Sequence, residues 1–209
     1  MIVLGLDTCL NACSVAVLEG GRVLASRSEV MARGHQERLA PMVQAAMADA
    51  GLAFDRLERI GATVGPGSFT GLRVGVAFAK GLASALSRPA IGIGTLEALA
   101  AGAAGLVAAA IDARRDQLYL QIFEDGAPLM APDVLSLGTA AARLAELTHG
   151  RPLTLIGSGA PRLADAAPGA AILTPEGCDA RQVARLAAAR PATPIRPLYL
   201  RAPDARLPG

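Results

Sequence analysis

The chain has 209 residues, of which 52% are hydrophobic and 18% charged, and its formal net charge at pH 7 is +2. This composition is typical of a globular protein and excludes disordered and fibrous classes. The chain contains no Trp, two Tyr and four Phe. So few aromatic rings, with so small a net charge, argue against a protein that binds nucleic acid tightly by itself.

Neither a disulfide framework nor a metal site is expected from the cysteines. The chain has three of them, which cannot all pair with one another. Cys9 and Cys13 lie four residues apart, but no second cysteine pair follows, and the only histidines are His35 and His149. Because structural zinc is held by four such ligands, we expect no metal to be bound.

The sequence also predicts a cytoplasmic protein without a membrane span. The first residues, MIVLGLD, carry no basic residue ahead of the apolar stretch, which is not the pattern of a signal peptide. The longest uncharged apolar run, from Ala98 to Ile111, is shorter than the roughly 20 residues that a membrane-spanning helix needs.

The first half of the chain predicts three antiparallel strands and then alternating helices and strands. The apolar, β-branched run that reaches Asp7 is typical of a buried strand, and Gly20-Gly21 is typical of a hairpin turn. Apolar residues then recur at helical spacing as far as Gly51, where a glycine ends the helix. The predicted strands are Ile2–Thr8, Cys13–Glu19, Arg22–Glu29, Ile60–Val64 and Pro89–Ile93, and the predicted helices are Gln36–Ala50, Phe69–Ser87 and Leu96–Ala104.

The second half of the chain repeats this order. When Asp112 is set beneath Asp7, Gly126 falls beneath Gly21, and the apolar residues of the strands between them coincide. We interpret the repeat as an internal duplication. A Pro-rich tail, which must be extended, follows the last helix. The predicted strands are Leu106–Arg114, Gln117–Glu124, Pro152–Ile156 and Ala171–Leu173, and the predicted helices are Thr139–Thr148, Pro161–Ala166 and Arg181–Ala189.

Two lobes that each begin with an Asp-ended strand and a hairpin resemble the α/β fold that actin-like proteins, sugar kinases and heat-shock chaperone ATPases (ASKHA) share. We therefore predict a two-lobed, duplicated ASKHA fold with a cleft between the lobes. The expected N-terminal lobe comprises residues 1–98 and the tail 191–209, and residues 99–190 form the smaller C-terminal lobe. The fold by itself does not decide the function.

In ASKHA proteins the carboxylate of the first strand and several glycine-rich turns surround the phosphates of ATP. A carboxylate can hold a cation, and glycine lets a backbone approach a ligand closely. The same residues also have a purely structural interpretation, as the end of a strand and a strand-to-helix turn. The matching residues, Asp7, Gly157, Ser158 and Gly159, therefore predict only a degenerate nucleotide cleft, and we expect no cofactor.

The segment Gly65–Ala83, GPGSFTGLRVGVAFAKGLA, resembles one family closely. Together with LGLDT at Leu4–Thr8, HQERL at His35–Leu39 and PLYLR at Pro197–Arg201, it is similar to the TsaB family, also called YeaZ. The resemblance is strong over the N-terminal half and clear in the tail. It implies an accessory, dimerisation subunit of the bacterial machinery that makes tRNA threonylcarbamoyladenosine.

The catalytic subunit of that machinery, TsaD, shares the stretch Ala79–Ala83 but carries a His-x-x-x-His pair on the helix after the next strand. This spacing puts both imidazoles on one helix face, where they can hold a metal. Thr95 and Leu99 stand at these positions here. The departure favours a subunit that catalyses nothing substantial alone. The alternatives are an ATP-dependent small-molecule kinase and a nucleotide-binding module of the same fold, and no Ser–His or metal constellation supports a peptidase.

Two helices offer surfaces for pairing with a partner. Helix Phe69–Ser87 has small residues every four positions, which permit close approach of another backbone, and helix Gln36–Ala50 has an apolar face that includes methionines. Either face can instead pack on the protein's own sheet. The candidate interface residues are Leu39, Met42, Val43, Ala46 and Met47 of the earlier helix and Gly71, Gly75 and Ala79 of the later one.

The resemblance implies TsaD as the partner, with the ATPase TsaE recruited by the TsaB–TsaD pair. TsaD would transfer threonylcarbamoyl to the adenosine beside the anticodon, while this chain holds it in an active conformation. An isolated chain is expected to form a homodimer through the same face. We interpret the arginines at 181, 185, 190, 196, 201 and 206 as a solvated face, so that contact with tRNA is expected to be indirect or weak.

Overall fold

Two sheets with the same internal order form the framework of the computed structural model, which describes residues 1–201. The strands of the first sheet are β1 Ile2–Asp7, β2 Ala12–Glu19, β3 Arg22–Val30, β4 Arg59–Thr63 and β5 Ala90–Ile93. Those of the second are β6 Leu106–Asp112, β7 Gln117–Glu124, β8 Ala127–Pro128, β9 Asp133–Ser136, β10 Leu153–Ile156 and β11 Ala171–Leu173. The α-helices are α1 His35–Asp49, α2 Phe69–Leu86, α3 Thr95–Ala100, α4 Leu137–Thr148 and α5 Ala180–Ala189, with 3₁₀ turns at Phe54–Arg56 and Ala160–Ala166.

The predicted duplication is confirmed by the strand order. The first sheet runs β3-β2-β1-β4-β5, and the second runs β8-β7-β6-β10-β11, with β9 also paired to β7. β1 and β6 are the central strands, each antiparallel to its hairpin partner and parallel to the next strand. Asp7 ends β1 and Asp112 ends β6, so the two acids occupy equivalent positions.

The structure departs from the prediction in three places, each with a local cause. The strand that matches β3 is split into β8 and β9, because Pro128 and Pro132 interrupt the ladder. The short helix predicted at Pro161–Ala166 is a 3₁₀ turn that begins at Ala160. α3 ends at Ala100 rather than Ala104, because a left-handed glycine, Gly102, follows.

Two helices cross between the sheets. α5 follows the second sheet in sequence but packs on the first, where a Cβ built on Gly5 would lie 2.3 Å from the carbonyl oxygen of Ala180, and one on Gly61 would lie 2.5 Å from Ala187 Cβ. α3 follows the first sheet but contacts β6 and β7 of the second. One of the three apolar clusters among the described residues therefore joins both sheets around these helices. The division of the chain into lobes at residues 98 and 190 remains a proposal. α5 belongs to the C-terminal lobe in that division but packs on the sheet of the N-terminal lobe.

The tail runs across both lobes, as its prolines predict. Arg190 binds the carboxylate of Glu97, the amide of Leu198 donates to the carbonyl oxygen of Val64 at 2.7 Å, and Arg201 donates to the carbonyl oxygen of Ala113 at 2.9 Å. The remainder of the tail, residues 202–209, lies outside the described residues. None of the helices among residues 1–201 combines the length and the apolarity that crossing a membrane requires.

Candidate functional site: the β1 carboxylate and the α1–α2 face

Asp7 lies fully buried at the carboxyl end of β1, with protein donors on both oxygens of its carboxylate. Oδ1 accepts hydrogen bonds from the amide of Cys9 at 3.0 Å and from the hydroxyl of Thr63 at 2.5 Å. Oδ2 accepts from the amide of Cys178 at 2.9 Å. The carboxylate is therefore satisfied by its own chain.

The loop before α5 closes over this acid. A Cβ built on Gly177 would lie 2.6 Å from Ala12 Cβ and 3.4 Å from Asp7 Oδ2, so the loop lies directly against β2 and the carboxylate. Ser14 secures it by donating to the carbonyl oxygen of Cys178 at 2.7 Å. The carboxylate has no exposed surface, which speaks against the suggested role of Asp7 in holding a cation or nucleotide; that role stays a prediction.

Burial dominates the ionisation of this region. It raises the pKa of the Asp7 carboxyl above its ordinary value, although the hydrogen bonds from Thr63, Cys9 and Cys178 and the charge of nearby His35 work in the opposite direction. Burial likewise raises the pKa of the Cys9 thiol, with help from the Asp7 charge, to about 12. Since the thiolate is the reactive form of cysteine, this thiol is not set up as a nucleophile.

The turn at Gly157, Ser158 and Gly159 is also occupied by the protein itself. The amides of Gly157 and Gly159 donate to the carbonyl oxygens of Leu173 and Ala110, each at 2.9 Å. Ser158 Oγ accepts from the amide of Asp112 at 3.1 Å. Because the amides of Gly157 and Gly159 already have partners within the chain, the contacts favour the turn interpretation, and the nucleotide interpretation stays a prediction.

The candidate interface residues of α1 are core residues. Their side chains are buried against the first sheet, where they form one cluster with apolar residues of β1 and β2. Leu39 alone among them also borders an outer groove. The sequence alone does not show which side of α1 faces the sheet, so its apolar face suits a partner surface and a core equally. The burial of these residues speaks against their predicted role at an interface. They are Leu39, Met42, Val43, Ala46 and Met47.

The stripe Gly71, Gly75 and Ala79 also faces inward. A Cβ on Gly71 would lie 1.9 Å from the carbonyl oxygen of Thr8, and one on Gly75 would lie 2.5 Å from Thr8 Oγ1. The Thr8 hydroxyl donates to the carbonyl oxygen of Gly71 at 2.7 Å. These glycines let α2 approach the end of β1, so they do not form a partner surface. Ala77, Gly81 and Ala85, which also recur every four residues, are exposed on the opposite side of α2, and no described atom lies within 4 Å of a Cβ built on Gly81.

The outer side of α1 and α2 carries an exposed surface whose aromatic residues are not among the predicted interface residues. Phe69 is 44% exposed and Tyr199 is 47% exposed, with their ring centroids 5.7 Å apart. The Arg73 guanidinium stacks 3.6 Å above the Phe69 ring, and its Nε donates to the Tyr199 hydroxyl at 3.3 Å. Beside them lies a groove of about 540 Å³. It is lined by Gln36, Leu39, Phe69, Thr70, Arg73, Val74, Ala77 and Phe78. We call this surface the α1–α2 face.

Thr95 and Leu99, which stand where the resemblance places a metal-binding pair, are both buried on α3, as its first and fifth residues. The hydroxyl of Thr95 has no hydrogen-bond partner among the described residues. Within residues 1–201, no cluster of three or more His, Cys, Asp or Glu side chains is arranged to hold a metal ion.

Comparison with known proteins gives consistent matches. Residues 23–156 match the family model of TsaD, described as a tRNA N6-adenosine threonylcarbamoyltransferase. The tRNA threonylcarbamoyladenosine biosynthesis protein TsaB of Escherichia coli is 41% identical over 124 residues, which cover 57% of this chain and 53% of that protein.

Solved structures match over more of the chain. YeaZ from Pseudomonas aeruginosa is 34% identical, with a TM-score of 0.76 and 90% of each chain covered. A ROK hexokinase from Thermus thermophilus, 18% identical with a TM-score of 0.53, covers 90% of this chain and 99% of its own. At that identity the hexokinase shows only the shared fold, which is the predicted ASKHA fold.

Proposed function

The chain belongs to the TsaB (YeaZ) family, and on this basis we propose that it is an accessory subunit that binds TsaD and holds it in an active conformation. TsaD would then transfer threonylcarbamoyl to the adenosine next to the tRNA anticodon, with the ATPase TsaE joining the assembled pair. The relatives named TsaB are tRNA threonylcarbamoyladenosine biosynthesis proteins, which supports a role in this modification.

The observation that carries the proposal is the α1–α2 face. This face exposes the rings of Phe69 and Tyr199, and Arg73 stacks on the Phe69 ring. Aromatic residues and arginine are the types that dominate the energy of protein–protein contacts. The adjoining groove is lined mainly by apolar side chains and can receive a helix of a partner. An isolated chain would cover the same face with a second copy by two-fold contact.

A non-catalytic role is supported by the contacts around Asp7 and by α3. The Asp7 carboxylate is enclosed by its own chain, which speaks against the alternative of a small-molecule kinase that holds a metal–nucleotide there. Thr95 and Leu99 supply no imidazole where TsaD carries its histidine pair. We therefore propose that catalysis belongs to the partner, and that this chain requires no cofactor.

Reconstitution tests this function. TsaD, TsaE and unmodified tRNA are supplied with the threonylcarbamoyl-adenylate donor, and modified adenosine is measured with and without this chain. We expect modification to depend on the chain, and we expect the chain alone to give none. Equal modification by TsaD without the chain, or phosphoryl transfer from ATP to a sugar panel by the chain alone, would contradict the proposal.

A further inference from the structure

The turn between β6 and β7 holds two exposed arginines on an unusual backbone. Arg114, Arg115 and Asp116 are consecutive, and their φ angles of 61°, 51° and 55° place all three in the left-handed region. The corresponding turn of the first lobe, between β1 and β2, has no charged residue after Asp7, and its first two residues are buried. The two lobes therefore differ sharply in charge at equivalent places.

Two more arginines reach the same turn from elsewhere in the chain. Arg162 forms ion pairs with Asp112, at 3.3 Å, and with Asp116. Arg201, which arrives with the tail, donates to the carbonyl oxygen of Ala113 at 2.9 Å and to the side-chain oxygen of Gln117. Among the described residues the four arginines outnumber the two acids of the turn, Asp112 and Asp116, so the formal charge of this group is positive. We call Arg114, Arg115, Arg162 and Arg201 the arginine cluster.

The arginine cluster is close to the α1–α2 face. Tyr199, which contacts Phe69 and Arg73 on that face, precedes Arg201 by two residues, and the chain bends at Leu200 and Arg201. Two residues span at most about 7 Å. A partner seated on the α1–α2 face would therefore lie beside the arginine cluster, and a nucleic acid that it held on that side could reach the arginines.

We propose that the arginine cluster contacts the phosphates of the tRNA that the complex with TsaD holds, with Arg114 and Arg115 as the principal contacts. This inference rests on the proposed function. Guanidinium groups match phosphate geometry and keep their charge at all physiological pH values. A few such contacts give little affinity to the chain alone, and they add to binding once a partner positions the RNA.

The test is a tRNA-binding titration of the TsaD complex over a range of salt concentrations. In the variant Arg114→Asn/Arg115→Asn both charges are removed, and asparagine tolerates the left-handed backbone. We expect an affinity loss on the order of tenfold at low salt, and a decrease of about 1.5 in the slope of log K against log salt. A matched control is Arg56→Asn/Arg88→Asn, which alters two exposed arginines before β4 and β5, at the opposite end of the first sheet. It should leave both quantities unchanged.

The charge-conserving variant Arg114→Lys/Arg115→Lys should retain the salt slope. Thermal unfolding of each variant verifies the fold. Unchanged tRNA binding by a folded Asn variant would overturn the inference while leaving the proposed function intact, because the complex still forms. Failure of the wild-type chain to bind TsaD would contradict both the inference and the proposed function.

Discussion

The backbone amide of Cys178 donates a hydrogen bond of 2.9 Å to Oδ2 of Asp7, although the two residues are 171 positions apart in the chain. This bond fixes the loop before α5 to the end of β1 and places α5 on the first sheet. An acid that resembles a ligand-binding residue in the sequence is in this protein a structural link between the two halves of the chain.

Replacing Asp7 with alanine should therefore destabilise the fold. The variant leaves the buried amides of Cys9 and Cys178 and the hydroxyl of Thr63 without their acceptor. At about 1–3 kcal/mol for an unsatisfied buried group, we expect a loss of roughly 3 kcal/mol or more in the free energy of unfolding, measured by urea denaturation. Asp55→Ala, at an exposed acid, is the control, and equal losses in the two variants would contradict this account.

The ionisation of Asp7 predicts a specific pH dependence. Because burial raises its pKa in the folded state, the folded protein binds this proton more tightly than the unfolded chain does. Between the ordinary value of 3.8 and the raised folded value, its contribution to stability must fall as the pH rises. Glu29 and Asp179, whose pKa values are lowered by Arg38 and Arg181, contribute in the opposite direction.

The contribution of Asp7 to the pH dependence of stability is therefore measured by comparing the wild type with Asp7→Asn. The free energy of unfolding of the wild type minus that of Asp7→Asn should decrease with rising pH in this window. A difference that does not change with pH would show that the pKa of Asp7 is not raised by burial.

Two glycines of α2 should respond oppositely to a side chain. In Gly75→Leu the Cβ of the new side chain would lie 2.5 Å from Thr8 Oγ1, which is too close. We therefore expect a loss of about 2–3 kcal/mol in the free energy of unfolding. Gly81→Ala adds a methyl group in open space and should raise stability by up to about 1 kcal/mol, because alanine favours the helix. Thermal unfolding measures both changes. A stable Gly75→Leu chain that has lost only its partner binding would place this stripe at an interface instead.

The buried and exposed sides of α1 and α2 should be separable by mutation. Met47→Ala removes a core side chain and should cost about 2–5 kcal/mol of folding stability without a direct effect on TsaD affinity. Phe69→Ala removes an exposed ring and should weaken TsaD binding while changing stability by little. Denaturation and calorimetric titration provide the two readouts. A loss of TsaD affinity in Met47→Ala that exceeds that of Phe69→Ala would contradict the assignment of faces.

The sequence predicts the framework well because its signals are local. Apolar periodicity and glycine turns place most strands and helices within a few residues of their observed bounds, and the alignment of Asp112 with Asp7 predicts the duplication. The crossing of α3 and α5 between the sheets has no local signal. It depends on small residues such as Gly5 and Gly61, whose role is visible only when the packed helix is present.

The candidate sites are less predictable because they also depend on contacts between distant segments of the chain. Met42 and Met47 form an apolar stripe that suits a core and an interface equally, and only the position of the sheet decides between them. The α1–α2 face brings Tyr199 beside Phe69, residues from distant segments that a linear pattern does not connect. The motifs GPGSFTGLR and PLYLR contain Phe69 and Tyr199, but nothing in the two motifs indicates that the rings meet.

The most direct measurement of the central claim is calorimetric titration of TsaD with the variant Ala77→Arg. Ala77 is exposed and lines the groove, so arginine there fills it with a charged side chain and leaves α2 intact. Ala145→Arg, at an exposed alanine of α4 in the second lobe, is the matched control. We predict that Ala145→Arg binds TsaD as the wild type does, and that Ala77→Arg weakens binding at least tenfold. Equal affinities for the two variants would show that the α1–α2 face is not where this subunit meets TsaD.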